Sequence, residues 1–188
     1  MSKKITLDAA LIYPREVTTR DGRHLSLTLA GREDKDRILA FAASLPEDDL
    51  LFLRMDITEP MIVDEWMRNI EQGRTVTVLA QWEKAVVGYA SLHTEGARWT
   101  RRVGEIRVQV GQDYRGQGLG KRLVGEIFRL GQDLELRKMA AMMTPDQVGA
   151  RASFEALGFR KEAVLPEWVV DRQGTFHDLL IMALDCNR

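Results

Sequence analysis

Glu105-Ile106-Arg107-Val108-Gln109-Val110-Gly111-Gln112-Asp113-Tyr114-Arg115-Gly116-Gln117-Gly118-Leu119-Gly120 changes character twice along its length. Its first part belongs to an alternating run, Val103 to Val110, with Val108 and Val110 on one face and Gln109 on the other, which predicts a strand. A short turn follows, and glycines at 116, 118 and 120 open onto Leu119, Leu123, Ile127 and Leu130, the stripe of an amphipathic helix over Gly118 to Leu130. Arg122, Glu126 and Arg129 fall on the opposite face and are expected in water. Glycine lacks a Cβ and tolerates positive φ, so successive N–H groups can approach a ligand closely. The first N–H groups of a helix have no intrahelical partner and lie at the positive end of its dipole, which suits phosphate oxygens. Arg115 adds a planar cationic fork beside them. The plainer alternative is a tight turn with no ligand.

Other anion-binding fingerprints fit less well. A nucleoside-triphosphate loop needs Lys-Ser or Lys-Thr after its glycines, whereas Leu119-Gly120-Lys121-Arg122 stands here. A dinucleotide fingerprint has the spacing G-x-G-x-x-G at a first strand, one residue longer than the G-x-G-x-G found, and only Glu135 loosely matches its acidic partner. The nucleophile-elbow pattern G-x-S-x-G is absent.

Working outward, Thr75 to Trp82 and Ala85 to Leu92 read as a hairpin across Glu83-Lys84. Before them, Ala9 to Val17 reads as an edge strand or extended arm, and His24 to Leu29 as a strand entered through Asp21-Gly22. A helix is expected over Arg32 to Leu45, stopped by Pro46, and another from Pro60 to Gly73 with Ile62, Trp66, Met67 and Ile70 on its apolar face. Leu50 to Phe52 is too short to classify. Downstream, Leu136 to Met143 reads as a buried strand. Pro145 opens a helix to Leu157, with Thr144 as its N-cap and Val148, Ala152, Phe154 and Leu157 inward. Phe159 to Val170, interrupted at Pro166, and Thr175 to Leu184 complete the strands around Asp171 to Gly174. The economical packing is α/β (α+β in some schemes): one domain over residues 1–188, a mixed, mostly antiparallel central sheet with helices on both faces.

With 188 residues, 45% of them apolar, the chain can bury a core without metal or disulfide staples. Its 27 Lys+Arg and 28 Asp+Glu nearly cancel, which gives no support to nucleic acid as a general partner. The single cysteine, Cys186, fits a reducing compartment and reads as a frayed-end residue. Met1-Ser2-Lys3-Lys4 leads into no signal-peptide pattern, and no apolar run reaches the roughly 18 residues of a membrane span, so a cytoplasmic, membrane-free protein is expected.

The stretch from Val108 to Gly120 resembles the central motif of the GNAT superfamily, acyl-CoA-dependent N-acyltransferases, written [Arg/Gln]-x-x-Gly-x-[Gly/Ala]. Arg115, Gly118 and Gly120 match it, and Gly116 is a common addition. Downstream, Gln147-x-x-Ala150-x-x-x-Phe154-x-x-x-Gly158-Phe159 resembles the family's Asn-x-x-Ala-x-x-x-Tyr-x-x-x-Gly-Phe, departing at Gln147 and Phe154. The resemblance covers about Leu25 to Leu184. It implies acetyl-CoA as acyl donor, with Val108, Gln109 and Val110 beside the pantetheine where the sheet splays. Arg115, Gly116, Gln117, Gly118, Leu119, Gly120 and Lys121 would then lie at the pyrophosphate, with Gln147, Ala150 and Phe154 also among the residues that bind the cofactor. It also implies N-acetyl transfer by direct attack, with no metal. In many members a tyrosine protonates the departing thiolate; phenylalanine stands here at 154 and has no proton to give.

Glu105, on the strand leading to the thioester, is the candidate general base, with an ion pair to a neighbour on its own face as the alternative. His93 at the end of a strand is a second base candidate against a structural role, and Tyr114 is a candidate acid against packing. His24 reads as a strand-start residue near the surface, and His177-Asp178 as a cross-strand polar pair, with a place facing the acceptor as the alternative. The acceptor, a small-molecule or peptide amine, is expected over Phe52, Arg54, Met55, Trp66 and Glu47-Asp48-Asp49. The acidic run suits a cationic amine or is a solvated turn, Arg54 suits a carboxylate-bearing amine, and Trp66 and Met67 read first as core. Trp99 and Trp168 are candidates for a homodimer interface. A coenzyme A-binding sensor without catalysis, and a scaffold without ligand, are the competing readings.

Overall fold

Eight strands lie side by side in the order β1-β2-β3-β4-β5-β6-β8-β7 in the computed structural model, which describes residues 12–50, 53, 55–96 and 99–186. They are β1 (Arg15–Thr18), β2 (His24–Leu29), β3 (Thr75–Trp82), β4 (Ala85–Thr94), β5 (Val103–Val110), β6 (Lys138–Met143), β7 (Arg160–Val170) and β8 (Phe176–Asp185). The helices are α1 (Lys35–Ala43), α2 (Glu47–Leu50), α3 (Pro60–Glu71), α4 (Leu119–Asp133) and α5 (Val148–Glu155). Every neighbouring pair is antiparallel except β5 and β6, which are joined by the crossover that α4 provides. The sheet is thus mixed and mostly antiparallel, with helices on both faces.

The alternation of strand side chains divides the core in two. Leu25, Leu27, Val78, Leu92 and Ile106 pack with Leu123, Ile127 and Leu130 of α4, while Leu79 and Tyr89 pack with Ile38, Phe41, Val63, Trp66 and Met67 of α1 and α3. Glu83 and Lys84, both at positive φ (49° and 73°), make the tight β3–β4 turn that sets the Trp82↔Ala85 register. The decisive irregularity lies at the centre. β5 and β6 pair from Val103↔Lys138 to Ile106↔Ala141, whereas β5 continues to Val110 and β6 follows β8 as far as Met143↔Leu180. The two strands part there.

Several expectations are corrected. Glu126 is not wet; it is 6% exposed and accepts hydrogen bonds from Tyr13 Oη (2.9 Å), Arg15 Nη1 (3.1 Å) and Arg129 Nη2 (2.6 Å). The segment leading into β1 covers that side of α4, which a helical wheel does not register. The first helix begins as a 3-10 turn at Arg32–Asp34 and stops at Ala43, where the Ser44 hydroxyl donates to the Phe41 carbonyl at 2.7 Å. Val63 rather than Ile62 is the buried residue of the first turn of α3. The helix expected from Pro145 begins at Val148, and Val148 itself is exposed. Thr144 is not its cap: its own N–H donates to Gln147 Oε1 at 3.2 Å. Cys186 is buried instead of frayed, its N–H donating to the Arg137 carbonyl (2.9 Å) and burial pushing its thiol up. Ala9 to Leu11, Phe52 and Arg54 lie outside the described residues. No helix among the described residues is long and apolar enough to cross a membrane, and no His/Cys/Asp/Glu group among them could hold a metal.

Candidate functional site

Where β5 and β6 part, a cleft of about 740 Å³ runs through the sheet. On one side its walls come from Val108 of β5, the end of β6 through Thr144, and Gln147, Ala150 and Phe154 around α5. On the other side they come from Met55, Ile57, Trp66, Tyr89, His93, Glu105 and Arg107. The β7–β8 hairpin closes one flank with Leu165, Trp168 and Val169. Its turn is tied down by Arg172, which pairs with Asp56.

Strand register explains the polar floor. His93↔Glu105, Ser91↔Arg107 and Tyr89↔Gln109 are cross-strand partners, so their side chains share the face that carries α1 and α3. Arg107 Nε donates to Glu105 Oε1 at 2.8 Å, and Arg107 Nη1 donates to Met55 Sδ at 3.1 Å. His93 is bracketed by hydroxyls: Nδ1 lies 3.1 Å from Thr75 Oγ1 and Nε2 lies 2.8 Å from Ser91 Oγ. Trp66 Nε1 donates to Thr77 Oγ1 at 3.1 Å while its ring tilts against Tyr89 at 4.9 Å. Trp66 therefore serves both as core and as cleft wall. Burial pushes the Tyr89 phenol up to about 12, with the Arg107 guanidinium pulling the other way, so this hydroxyl stays neutral.

The glycine turn sits next to the end of β5. Gly116 (φ 72°) and Gly118 (φ 84°) occupy the left-handed region, and Gly118 is the N-cap of α4 without any side-chain cap. A Cβ at Gly118 has room, its nearest neighbour being Arg20 Nε at 3.8 Å, so the constraint there is torsional. Gly120 lies close to Val110 Cγ2, which brings the helix start against the strand end. Leu119 is buried beneath the turn, the Gln117 carbonyl accepts from the Arg20 N–H at 3.3 Å, and Lys121 is exposed on the first turn. Arg115 Nε donates to the Val110 carbonyl at 3.1 Å, and Arg115 Nη2 pairs with Asp49. Uncapped N–H groups with Arg115 and Lys121 alongside form an arrangement able to receive an anion.

Of the residues singled out from sequence, Glu105, His93, Val108, Gln109, Gln147, Ala150, Phe154, Met55 and Trp66 meet in one cleft. Tyr114 does not join them. It is buried outside the cleft under the Arg23 guanidinium, 4.5 Å from the ring centroid, so packing holds it away from the chemistry. His177 is also outside the cleft lining, and it bonds Asp171 at 2.8 Å. Within the acidic run, Glu47 is exposed while Asp49 reaches the cleft and Arg115. Arg20 and Arg23, in the turn between β1 and β2, lean on the glycine turn from far away in sequence, and no local signal marks them. Neither Ser91 in β4 nor Thr144 just after β6 carries a local signal of a place in the cleft, because a lone hydroxyl makes no motif.

Comparison with known proteins agrees with this geometry. The sequence model of the acetyltransferase (GNAT) family matches residues 47–159, spanning α2, α3, the glycine turn and Gly158-Phe159. YwnH of Bacillus subtilis (strain 168), named as a candidate phosphinothricin acetyltransferase, is 22% identical over 159 residues, covering 84% of this chain and 97% of its own. The GNAT-family acetyltransferase of Streptococcus pneumoniae superposes with a TM-score of 0.75 at 18% identity, covering 86% of this chain and 99% of that one. The yncA protein of Salmonella typhimurium, solved with its cofactor acetyl-CoA, superposes at 0.73 with 20% identity, covering 87% and 95%. With more than half its length matched by the family model and the sheet parted beside the glycine turn, this chain belongs to the acetyltransferase (GNAT) family.

Proposed function

We propose that this protein transfers the acetyl group of acetyl-CoA to a primary amine on a small molecule or peptide, by direct attack within a ternary complex. The observation that carries the reading is the parting of β5 from β6. It opens one cleft from the α5 side through to the polar floor of Glu105, Arg107 and His93, lined by β5 as far as Gln109, one residue before the strand end that leads to the glycine turn. A thioester in that gap has a route for a flexible pantetheine on one side and room for an amine on the other. Much of the acceleration is then positional.

The donor fits the residues present. Gly116 and Gly118 hold positive φ and present the turn's N–H groups, and Arg115 and Lys121 add charge for a pyrophosphate. Val108, Gln109 and Val110 lie beyond the pairing with β6 and offer strand edge to pantetheine amides, although the Val110 carbonyl is already taken by Arg115 Nε. Gln147, Ala150 and Phe154 form the facing wall. Glu105 takes the amine's proton directly or through a water, oriented by Arg107, while His93 with Ser91 and Thr75 holds the neighbouring floor. Asp49 and Arg107 give the acceptor half both signs of charge, which suits an amine bearing a further polar group. The exposed Trp168, Val170 and Phe176 of the β7–β8 hairpin support a homodimer, checked by light scattering.

Phe154 favours a second reading, a coenzyme A-binding sensor without turnover, because its ring offers no proton and packs edge-on to Phe159 at 5.0 Å. One experiment separates them: calorimetry with coenzyme A, then thiol release from acetyl-CoA against a panel of amines. Amine-dependent thiol release supports the transferase. Binding without acceleration by any amine leaves the sensor, and no coenzyme A binding removes both.

A further inference from the structure

The cleft contains a hydroxyl that the reaction described above does not use. Thr144 stands at the end of β6, where the strands part, and lines the cleft together with Met143, Gln147, Ala150 and Phe154. It is 2% exposed, and its Oγ1 is buried without a hydrogen-bond partner. Its backbone is satisfied, because the Thr144 N–H donates to Gln147 Oε1 at 3.2 Å. Buried hydroxyls are nearly always partnered, since an unsatisfied one forfeits its hydration for nothing in return. Valine has nearly the same shape and carries no such penalty. An orphaned group kept in the wall of a ligand-sized cleft points to a partner that arrives with the ligand. Around it, Met143, Ala150 and Phe154 supply no hydroxyl.

We infer that Thr144 Oγ1 donates a hydrogen bond to the sulfur of the acyl donor as the thiolate departs. The inference rests on the acetyl-transfer reading. In the step, the amine nitrogen forms the new C–N bond and the C–S electron pair passes to sulfur. The nitrogen's surplus proton leaves toward Glu105 or water, and the thiolate later takes a proton from solvent. Thr144 keeps its own proton throughout. A thiol titrates near about 8.5, several units below an alcohol, so the hydroxyl stabilises the thiolate as a fixed dipole and does not ionise. Phe154 leaves that wall without any other hydroxyl to share the charge.

The test uses the full chain with Thr144→Val, which deletes the hydroxyl and keeps the shape, and Thr144→Ser, which keeps the hydroxyl. Thiolate ultraviolet absorbance of bound coenzyme A is followed against pH, together with amine-dependent kcat. The affinities of coenzyme A and desulfo-coenzyme A and the melting temperature complete the set. Thr144→Val is expected to raise the bound thiol's pKa by about one unit and lower kcat about tenfold. Its affinity for desulfo-coenzyme A should be unchanged and its melting temperature equal to or above that of the parent, with Thr144→Ser near the parent in the spectroscopic and kinetic readouts. A Thr144→Val protein with unchanged thiol pKa and kcat overturns the inference. So does an equal loss of affinity for desulfo-coenzyme A, which would make the hydroxyl a pantetheine contact. Failure of the parent protein to bind coenzyme A is a separate result, because it removes the transferase reading itself.

Discussion

Glu105 and Glu126 are both glutamates salt-bridged to arginine, yet they belong to different parts of the molecule. Glu126 lies on the closed side of α4, 6% exposed, with Tyr13, Arg15 and Arg129 all directed at its carboxylate. Glu105 is 17% exposed, pairs with Arg107, and forms part of the floor of the cleft. The first carboxylate is surrounded by partners drawn from the chain, so what it gives is stability. The second borders a cavity large enough to admit another molecule, so part of its environment is supplied by what enters. An ion pair alone does not distinguish the two; the space beside it does.

Five variants break or sharpen that contrast. Glu105→Gln is expected to lower amine-dependent kcat by about 10²- to 10⁴-fold with little change in melting temperature, measured by thiol release and thermal unfolding. A comparable loss in Glu126→Gln would erase the distinction. Gly118→Asp, at the start of the helix that carries Glu126, should weaken coenzyme A about 100-fold by calorimetry while the protein remains folded, since it sets a carboxylate and a strained Cβ where a pyrophosphate would sit. Glu126→Ala should destabilise by about 2 kcal/mol in urea, read as a shifted midpoint at constant slope, and leave kcat within about twofold. That figure is held below the value for a fully buried pair because Arg15 and Arg129 are each more than a third exposed.

Tyr13→Phe should have the smallest effect, about 1 kcal/mol at neutral pH, and it carries a pH signature. Burial first, then the Glu126 charge, raises the Tyr13 phenol above its ordinary value near 10. The bond it donates is therefore fully present below pH 10. As pH climbs past that point the unfolded chain ionises first, so stability falls until the folded phenol also ionises. Alkaline unfolding curves should show this decline in the parent, and Tyr13→Phe should make it shallower, the remainder coming from Tyr89 and Cys186, which burial also raises. An identical alkaline slope in both proteins would mean that Tyr13 does not tie the segment before β1 to α4.

Parts of this architecture are visible in the chain because they are locally encoded. β5 was bounded correctly, since its period of two ends at a glycine, and α4 was found from its apolar stripe and the glycines before it. The β3–β4 turn was found at Glu83-Lys84, although neither residue is a glycine. The misreadings share one cause, a partner remote in sequence. Glu126 was assigned to water because a helical wheel counts neighbours on its own helix, and Tyr13 lies 113 positions away. Thr144 was assigned as a cap by its residue type, but the Gln147 amide reaches back to the N–H of Thr144. Cys186 was assigned to a frayed end by its position, whereas β8 keeps its register with β6 as far as Asp185.

The candidate site divides in the same way. Arg115, Gly116, Gly118 and Gly120 stand out in one dimension because backbone freedom and unpaired amides are properties of a short segment. Tyr114 lies in the same segment, but whether its side chain faces a cleft or packs under Arg23 depends on a turn some 90 residues earlier. His93, Ser91, Glu105 and Arg107 become a single floor only through the pairing of β4 with β5.

By itself, then, the sequence determined most of the order of elements, the glycine turn and the family, since periodicity, glycine placement and short motifs are local; the one-turn α2 over Glu47–Leu50 carries no such signal. Only the tertiary structure decided which carboxylate borders a cavity and which is sealed, that β5 parts from β6 after Ile106, and that the Thr144 hydroxyl is left without a partner. Those outcomes depend on what packs against each group, and the packing partners come from distant parts of the chain.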